Sequence, residues 1–186
     1  MLIYMTMKLF HRIKKYFFKK KVKKAVKNAG HIVGEAIKDV FSSSGDSAQE
    51  MTDIARTAVQ KSIRSLQNAG VGIVEGGKEI IKQTVLQSAR TADDVASVSR
   101  ATVREVIGHA QEAGDDISAV ALELVEGVKI AAKRSGADIQ KSADFAKQEI
   151  LDAVRSIGDE AVDDVKQAFA GKKIQISSPN VSDKEV

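Results

Sequence analysis

One periodicity constrains this chain more than any other property: between residues 92 and 170, apolar residues return every eleven positions. The first column is Val95, Val106, Ile117, Val128, Ile139, Ile150 and Ala161. The second is Ser99, Ala110, Ala121, Ala132, Ala143, Val154 and Val165, and the third is Thr102, Ala113, Leu124, Ser135, Ala146, Ile157 and Ala168. Offsets of four and three residues place the three columns on one stripe of an α-helix. A fourth column is mostly acidic: Asp94, Glu105, Asp116, Gly127, Asp138, Glu149 and Glu160. Eleven residues in three turns give about 3.67 per turn, close enough to a relaxed helix for one face to stay in register, straight or slightly right-handed.

The expected fold class is therefore all-α, built from long extended amphipathic helices. Drawn as one helix, residues 78–170 would span roughly 140 Å. No such helix stands alone in water, so its stripe must be covered by a lipid surface, by other copies, or by the chain folded back on itself. The residues expected to form that surface or self-association stripe are Val95, Val106, Ile117, Leu124, Val128, Ile139, Ile150, Val154, Ile157 and Val165. A 22-residue modulation is superposed, with Gly114, Gly136 and Gly158 each followed by acids. It reads equally as soft points where the helix bends and as small residues that let helix backbones approach.

Composition points the same way. The chain has 186 residues, 43% hydrophobic, yet no Trp and only 4% aromatics. Much of the apolar content is Ala and Val, which remove little area from water and would fill a globule thinly. The single Pro, Pro179, leaves everything before it free of the strongest helix breaker. SSSGDS (42–47) is a linker by composition, and Ser47 with Glu50 has the spacing of a capping box that opens a helix over 47–69. Four glycines, Gly70, Gly72, Gly76 and Gly77, mark 70–77 as a hinge or hairpin point. Residues 171–186 read as a disordered tail.

The first 41 residues are a different material. Residues 1–40 hold eleven Lys and Arg against Glu35 and Asp39, a net of +9 that leaves −5 for the remainder of a chain whose total is +4. Six of the eight aromatics also lie here. Leu9, Phe10, Ile13 and Phe17, then Val22, Val26, Ala29, Val33, Ala36, Ile37 and Val40, recur at helical steps with lysines on the flanks. Such a helix lies in the headgroup boundary of a membrane, its apolar face inserted and its cations on anionic lipid. The expected membrane-binding residues are Leu9, Phe10, Arg12, Ile13, Lys14, Lys15, Phe17, Phe18, Lys19, Lys20, Lys21, Lys23 and Lys24. The charges follow the apolar start, unlike a signal peptide. No run reaches the roughly 18 apolar residues of a membrane span. Nucleic acid, bound through counterion release, is the rival partner for so basic a segment. Regular interleaving of Phe, Ile and Leu favours lipid.

The eleven- and twenty-two-residue periodicity of residues 73–170 resembles that of helical proteins of lipid surfaces: exchangeable apolipoproteins, perilipins, synucleins and the phasins of storage granules. The resemblance lies in the periodicity alone. It implies a surface-coating helix, and the chain departs from it by punctuating with Gly where apolipoproteins use Pro and by lacking the repeat units of synucleins.

Chemistry finds little purchase. The absence of Cys excludes a disulfide framework and a thiolate site, and suits a reducing compartment. His11, His31 and His109 are scattered. Gly72–Lys78 begins like a phosphate-binding loop, but Glu79 stands where Ser or Thr must bind magnesium and no strand precedes it. The acid pairs Asp93–Asp94, Asp115–Asp116 and Asp163–Asp164 point about 100° apart on a helix and form no facing dyad. No catalytic, cofactor or metal residue is expected. The sequence predicts a non-enzymatic scaffold, cytoplasmic and peripheral to a membrane or granule surface, and homo-oligomeric. A helical bundle or filament whose basic arm binds nucleic acid or an acidic partner is the alternative.

Overall fold

A computed structural model describes residues 2–42, 48–89 and 95–171, with side-chain surroundings for residues 16, 18–39, 52–89 and 95–171. These described residues form helices and turns, with no strand. The helices are α1 (Leu2–Ser42), α2 (Ala48–Asn68), α3 (Ile73–Ser88), α4 (Val95–Ala113), α5 (Ile117–Ser135), α6 (Ile139–Val154) and α7 (Asp159–Phe169).

The all-α expectation holds, but the single helix over 78–170 does not. The segment is divided at Gly114, Gly136 and Gly158, whose φ angles are 71°, 77° and 144°. Gly70, at 66°, precedes Gly114 by two 22-residue steps; Ala92, at the step between, lies outside the described residues. A side chain is strained at these backbone angles, and helices end where Gly adopts them. Three of the turns share one closing bond: Val71 N donates to Leu66 O, Asp115 N to Ala110 O, and Ala137 N to Ala132 O, at 3.0, 2.9 and 3.0 Å. The acids that follow restart the next helix. Asp116 accepts from Ser118 N and Ala119 N, and Asp138 accepts from Lys141 N. A cap of this kind stabilises a helix by about 1 kcal/mol. The 22-residue modulation is thus a helix–glycine–acid–helix unit, and its glycines have open space around them.

The expected hinge at 70–77 is also redrawn. The turn occupies only Ala69–Gly72, while Gly76 and Gly77 lie inside α3. Their role is close approach: a Cβ on Gly76 would collide with the Leu66 side chain of α2, and one on Gly77 would meet Val106 Cγ1 at 3.3 Å. Ser47 of the expected capping box, the rest of 43–47, and the tail beyond Gly171 lie outside the described residues.

Packing follows a simple rule. Helices α1 and α2, α3 and α4, and α5 and α6 pair as neighbours, and each helix also meets the one two places along. Odd helices therefore run α1–α3–α5–α7 in one row and even helices α2–α4–α6 in another. No described helix contacts one more than two places away. This is the connectivity of a solenoid, in which each unit buries its apolar face against its neighbours. Ile73, Ile80, Ile81, Val106, Ile107, Val120 and Leu124 fill the middle. Burying a side chain of this size contributes about 1.5–3 kcal/mol. The small residues that argued against a packed core act within one. Gly127 lets α5 approach α3 so closely that a Cβ there would lie 2.6 Å from Lys78 O.

Candidate functional site

The stripe deduced from the eleven-residue repeat is in the described structure the core. Val106, Leu124, Val128, Ile150, Val154 and Val165 are buried, and Val95, Ile117 and Ile157 are partly buried against them. Only Ile139 faces outward, at 42% exposure. Of the three covers the sequence left open, the chain folded on itself is the one realised. The stripe is unavailable to a surface or a second copy while this fold persists. Physically, the turns at Gly70, Gly114, Gly136 and Gly158 redirect the chain and let successive stripes face one another.

The acidic column splits into two alternating roles. Asp116 and Asp138 cap helices, as above. Mid-helix members reach across helices instead: Glu105 Oε1 meets Arg56 Nε at 3.0 Å, and Glu149 Oε2 accepts from Arg100 Nε at 2.7 Å. Gly127 takes the remaining mid-helix place, where backbone packing leaves no room. Asp115, beside Asp116, accepts from Ile73 N at 3.0 Å and so caps α3 from another turn. Asp163 pairs with Lys166, while Asp93 and Asp94 lie outside the described residues. These carboxylates are structural. Among the described residues no three His, Cys, Asp or Glu gather as a metal would require, and no helix is long and apolar enough to cross a membrane.

The N-terminal helix divides in two. Ala25, Ala29, Val33 and Ile37 are buried against α2 and α3, with Val22, Val26 and Ala36 packed beside them. Before Ala25 the described residues other than Val22 are exposed: Tyr16 at 67%, Phe18 at 60%, and Lys19, Lys20, Lys21, Lys23 and Lys24. The side chains of Leu9, Phe10, Arg12, Ile13, Lys14, Lys15 and Phe17 lie outside the described residues, within the helical course of α1. One flank of the exposed part faces a groove in which Phe18, Lys19, Lys23 and Lys27 stand opposite Glu75, Glu79 and Glu123. Lys20, Lys21 and Lys24 are not part of that groove.

Sequence reading treated the apolar positions of α1 as one face, and their register makes them two. The step from 17 to 22 is five residues, which breaks the three-and-four pattern. At about 100° per residue, the centre of positions 9, 13 and 17 falls roughly 180° from the centre of 25, 29, 33 and 37, the positions buried by α2 and α3, because a row of four-residue steps drifts by about 40° each step. The signal lay in that one irregular step. Sequence reasoning also missed the cavity between α3, α4, α5 and α6, lined by Ile81, Ser99, Val128 and Phe145 among others. Nothing in the eleven-residue columns marks it.

No family model matches this chain, and no curated protein matches it significantly.

Proposed function

We propose that the protein is a non-enzymatic scaffold that docks peripherally on an anionic lipid surface through the N-terminal half of α1, the helical array standing behind it. The observation that carries this reading is the exposed set Lys20, Lys21 and Lys24, outside the groove that Phe18, Lys19 and Lys23 line, in an unbroken helix with a half packed on α2 and α3. Register supports it: positions 9, 13 and 17 are centred on the side of α1 opposite the buried face, with Lys20 and Lys24 among them and Lys21 at the edge. An apolar sector flanked by cations is what a membrane boundary accepts. Self-association through the stripe loses its support, because the stripe is consumed in the core.

The test must keep the whole chain, since deleting residues 1–41 would strip Ala29, Val33 and Ile37 from the core. The intact protein should co-sediment with vesicles of phosphatidylcholine and phosphatidylserine and much less with phosphatidylcholine alone. Replacing Lys20, Lys21 and Lys24 together by Gln removes about 3 kcal/mol, a loss on the order of a hundredfold. Ile13→Glu with Phe17→Glu, on the side opposite the buried face, should abolish sedimentation and leave helicity intact. Equal recovery on both vesicle types sinks the reading. A duplex DNA bound at the same salt without vesicle binding would transfer it to nucleic acid.

A further inference from the structure

The side of α1 that packs on α2 and α3 runs on beyond the part they cover. At about 100° per residue, Phe18, Val22 and Val26 share the side of Ala25, Ala29 and Val33. Ala29 and Val33 are fully buried, whereas Phe18 is 60% exposed and Val22 and Val26 are half-buried. With Val74 of α3 these three residues give a groove of about 780 Å³ its apolar floor.

The two walls of the groove carry opposite charges. Lys19, Lys23 and Lys27 stand on α1, facing Glu75 and Glu79 of α3 and Glu123 of α5. No ion pair among the described residues joins one wall to the other. Glu79 is engaged by Lys82 and Glu123 by Lys78, both from their own side. Glu75, Lys19, Lys23 and Lys27 make no ion pair with any described residue. The rows also share a pitch, since Lys19, Lys23 and Lys27, like Glu75 and Glu79, step by four residues, about 6 Å.

That pattern narrows what can cover the floor. A lipid headgroup or nucleic-acid phosphate entering the groove would lie against carboxylates on one wall. A wholly basic or wholly acidic peptide would meet its own charge on one side or the other, and like charges brought together cost affinity. A surface with an apolar centre and both rows in the opposite order escapes this, and the same groove turned over is such a surface. In a two-fold pair each patch meets its own copy, residue i touching j and j touching i. A two-fold axis along the groove lays the lysine row on the partner's glutamate row and covers Phe18. An axis across the groove would set lysine on lysine.

We propose that the protein forms a two-fold homodimer through this groove, the α1 lysine row of each copy on the Glu75–Glu79 row of the other. The interface uses none of Lys20, Lys21 and Lys24 and stands apart from the surface-docking reading.

Sedimentation equilibrium of the full-length protein, without lipid and at low salt, tests the assignment. A monomer–dimer equilibrium is expected, shifting toward monomer as salt rises. Lys23→Glu and Glu75→Lys, both at exposed surface positions, should each weaken the dimer about tenfold or more by setting like charges together. An equimolar mixture of the two variants should recover the dimer, because each reversed wall then faces its opposite. The chain carrying both substitutions should dimerise as the parent does. Gln at Lys20, Lys21 and Lys24 together should leave dimerisation unchanged. A monomer at every concentration overturns the proposal. So does a dimer that neither reversal weakens, which puts the interface elsewhere, and so does a mixture that fails to recombine. No vesicle enters these measurements, so their outcome is independent of lipid binding.

Discussion

Arg100 Nε donates to Glu149 Oε2 at 2.7 Å where α4 meets α6, repeating the Arg56–Glu105 pair where α2 meets α4. Both partners have moved by 44 residues, from 56 to 100 and from 105 to 149. Glu149 keeps only 8% of its side chain in contact with solvent, against 44% for Arg100. The two halves of the pair should therefore respond unequally. Arg100→Met strands a buried carboxylate and should lower unfolding stability by about 2–3 kcal/mol. Glu149→Gln leaves a neutral group and a half-exposed guanidinium, and should lower it by about 1 kcal/mol. Urea midpoints of the two variants check the order, and equal losses would contradict it.

Two glycines should give opposite signs. Gly127→Ala drives a methyl to 2.6 Å from Lys78 O and 2.5 Å from Ile81 Cγ2. Backbone cannot swing aside as a side chain does, so the loss should be about 3 kcal/mol or more. Gly108 lies inside α4 with open space around it. Gly108→Ala should stabilise the protein by about 0.5–1 kcal/mol. Thermal melts of the pair decide the matter.

Gly76 and Leu66 should behave as a coupled unit. Leu66 is fully buried, and its side chain occupies the place where a Gly76 Cβ would stand. Leu66→Ala should cost about 2–5 kcal/mol. Gly76→Ala alone should also destabilise, but in the Leu66→Ala background the methyl enters vacated space. A double-mutant cycle should show a coupling above about 1 kcal/mol, and additive effects would refute the contact.

Capping acids should be worth more than their surface position suggests. Asp116→Ala frees the amides of Ser118 and Ala119, and should destabilise by about 1 kcal/mol. Asp116→Asn retains the acceptor and should be nearly neutral. Asp115→Ala acts at a distance of sequence, exposing Ile73 N of α3. Faster hydrogen exchange at the Ile73 amide and the first turn of α3 would reveal it.

Helicity was legible because hydrophobic recurrence at three and four residues is a local property. The glycine period was legible too, since Gly114, Gly136 and Gly158 stand at equal intervals with acids behind them. What that period meant was not. A positive-φ glycine and a bending glycine carry the same letter, and only the closing bonds at Leu66, Ala110 and Ala132 separate them. The stripe named the right residues for burial and could not name their cover, because eleven-residue periodicity is equally satisfied by lipid, copy or self. The Arg56–Glu105 and Arg100–Glu149 pairs required knowing that each helix meets the one two places along, a fact of turn geometry.

Among the described helices, α1 touches α2 and α3 alone, and α7 touches α5 and α6 alone. No contact between described helices draws α1 and α7 together. Load placed on the array is divided among successive interfaces, each yielding by a small rotation, so it has the compliance of a spring and should part stepwise from an end. A tether gripped at α1 would feel that elasticity.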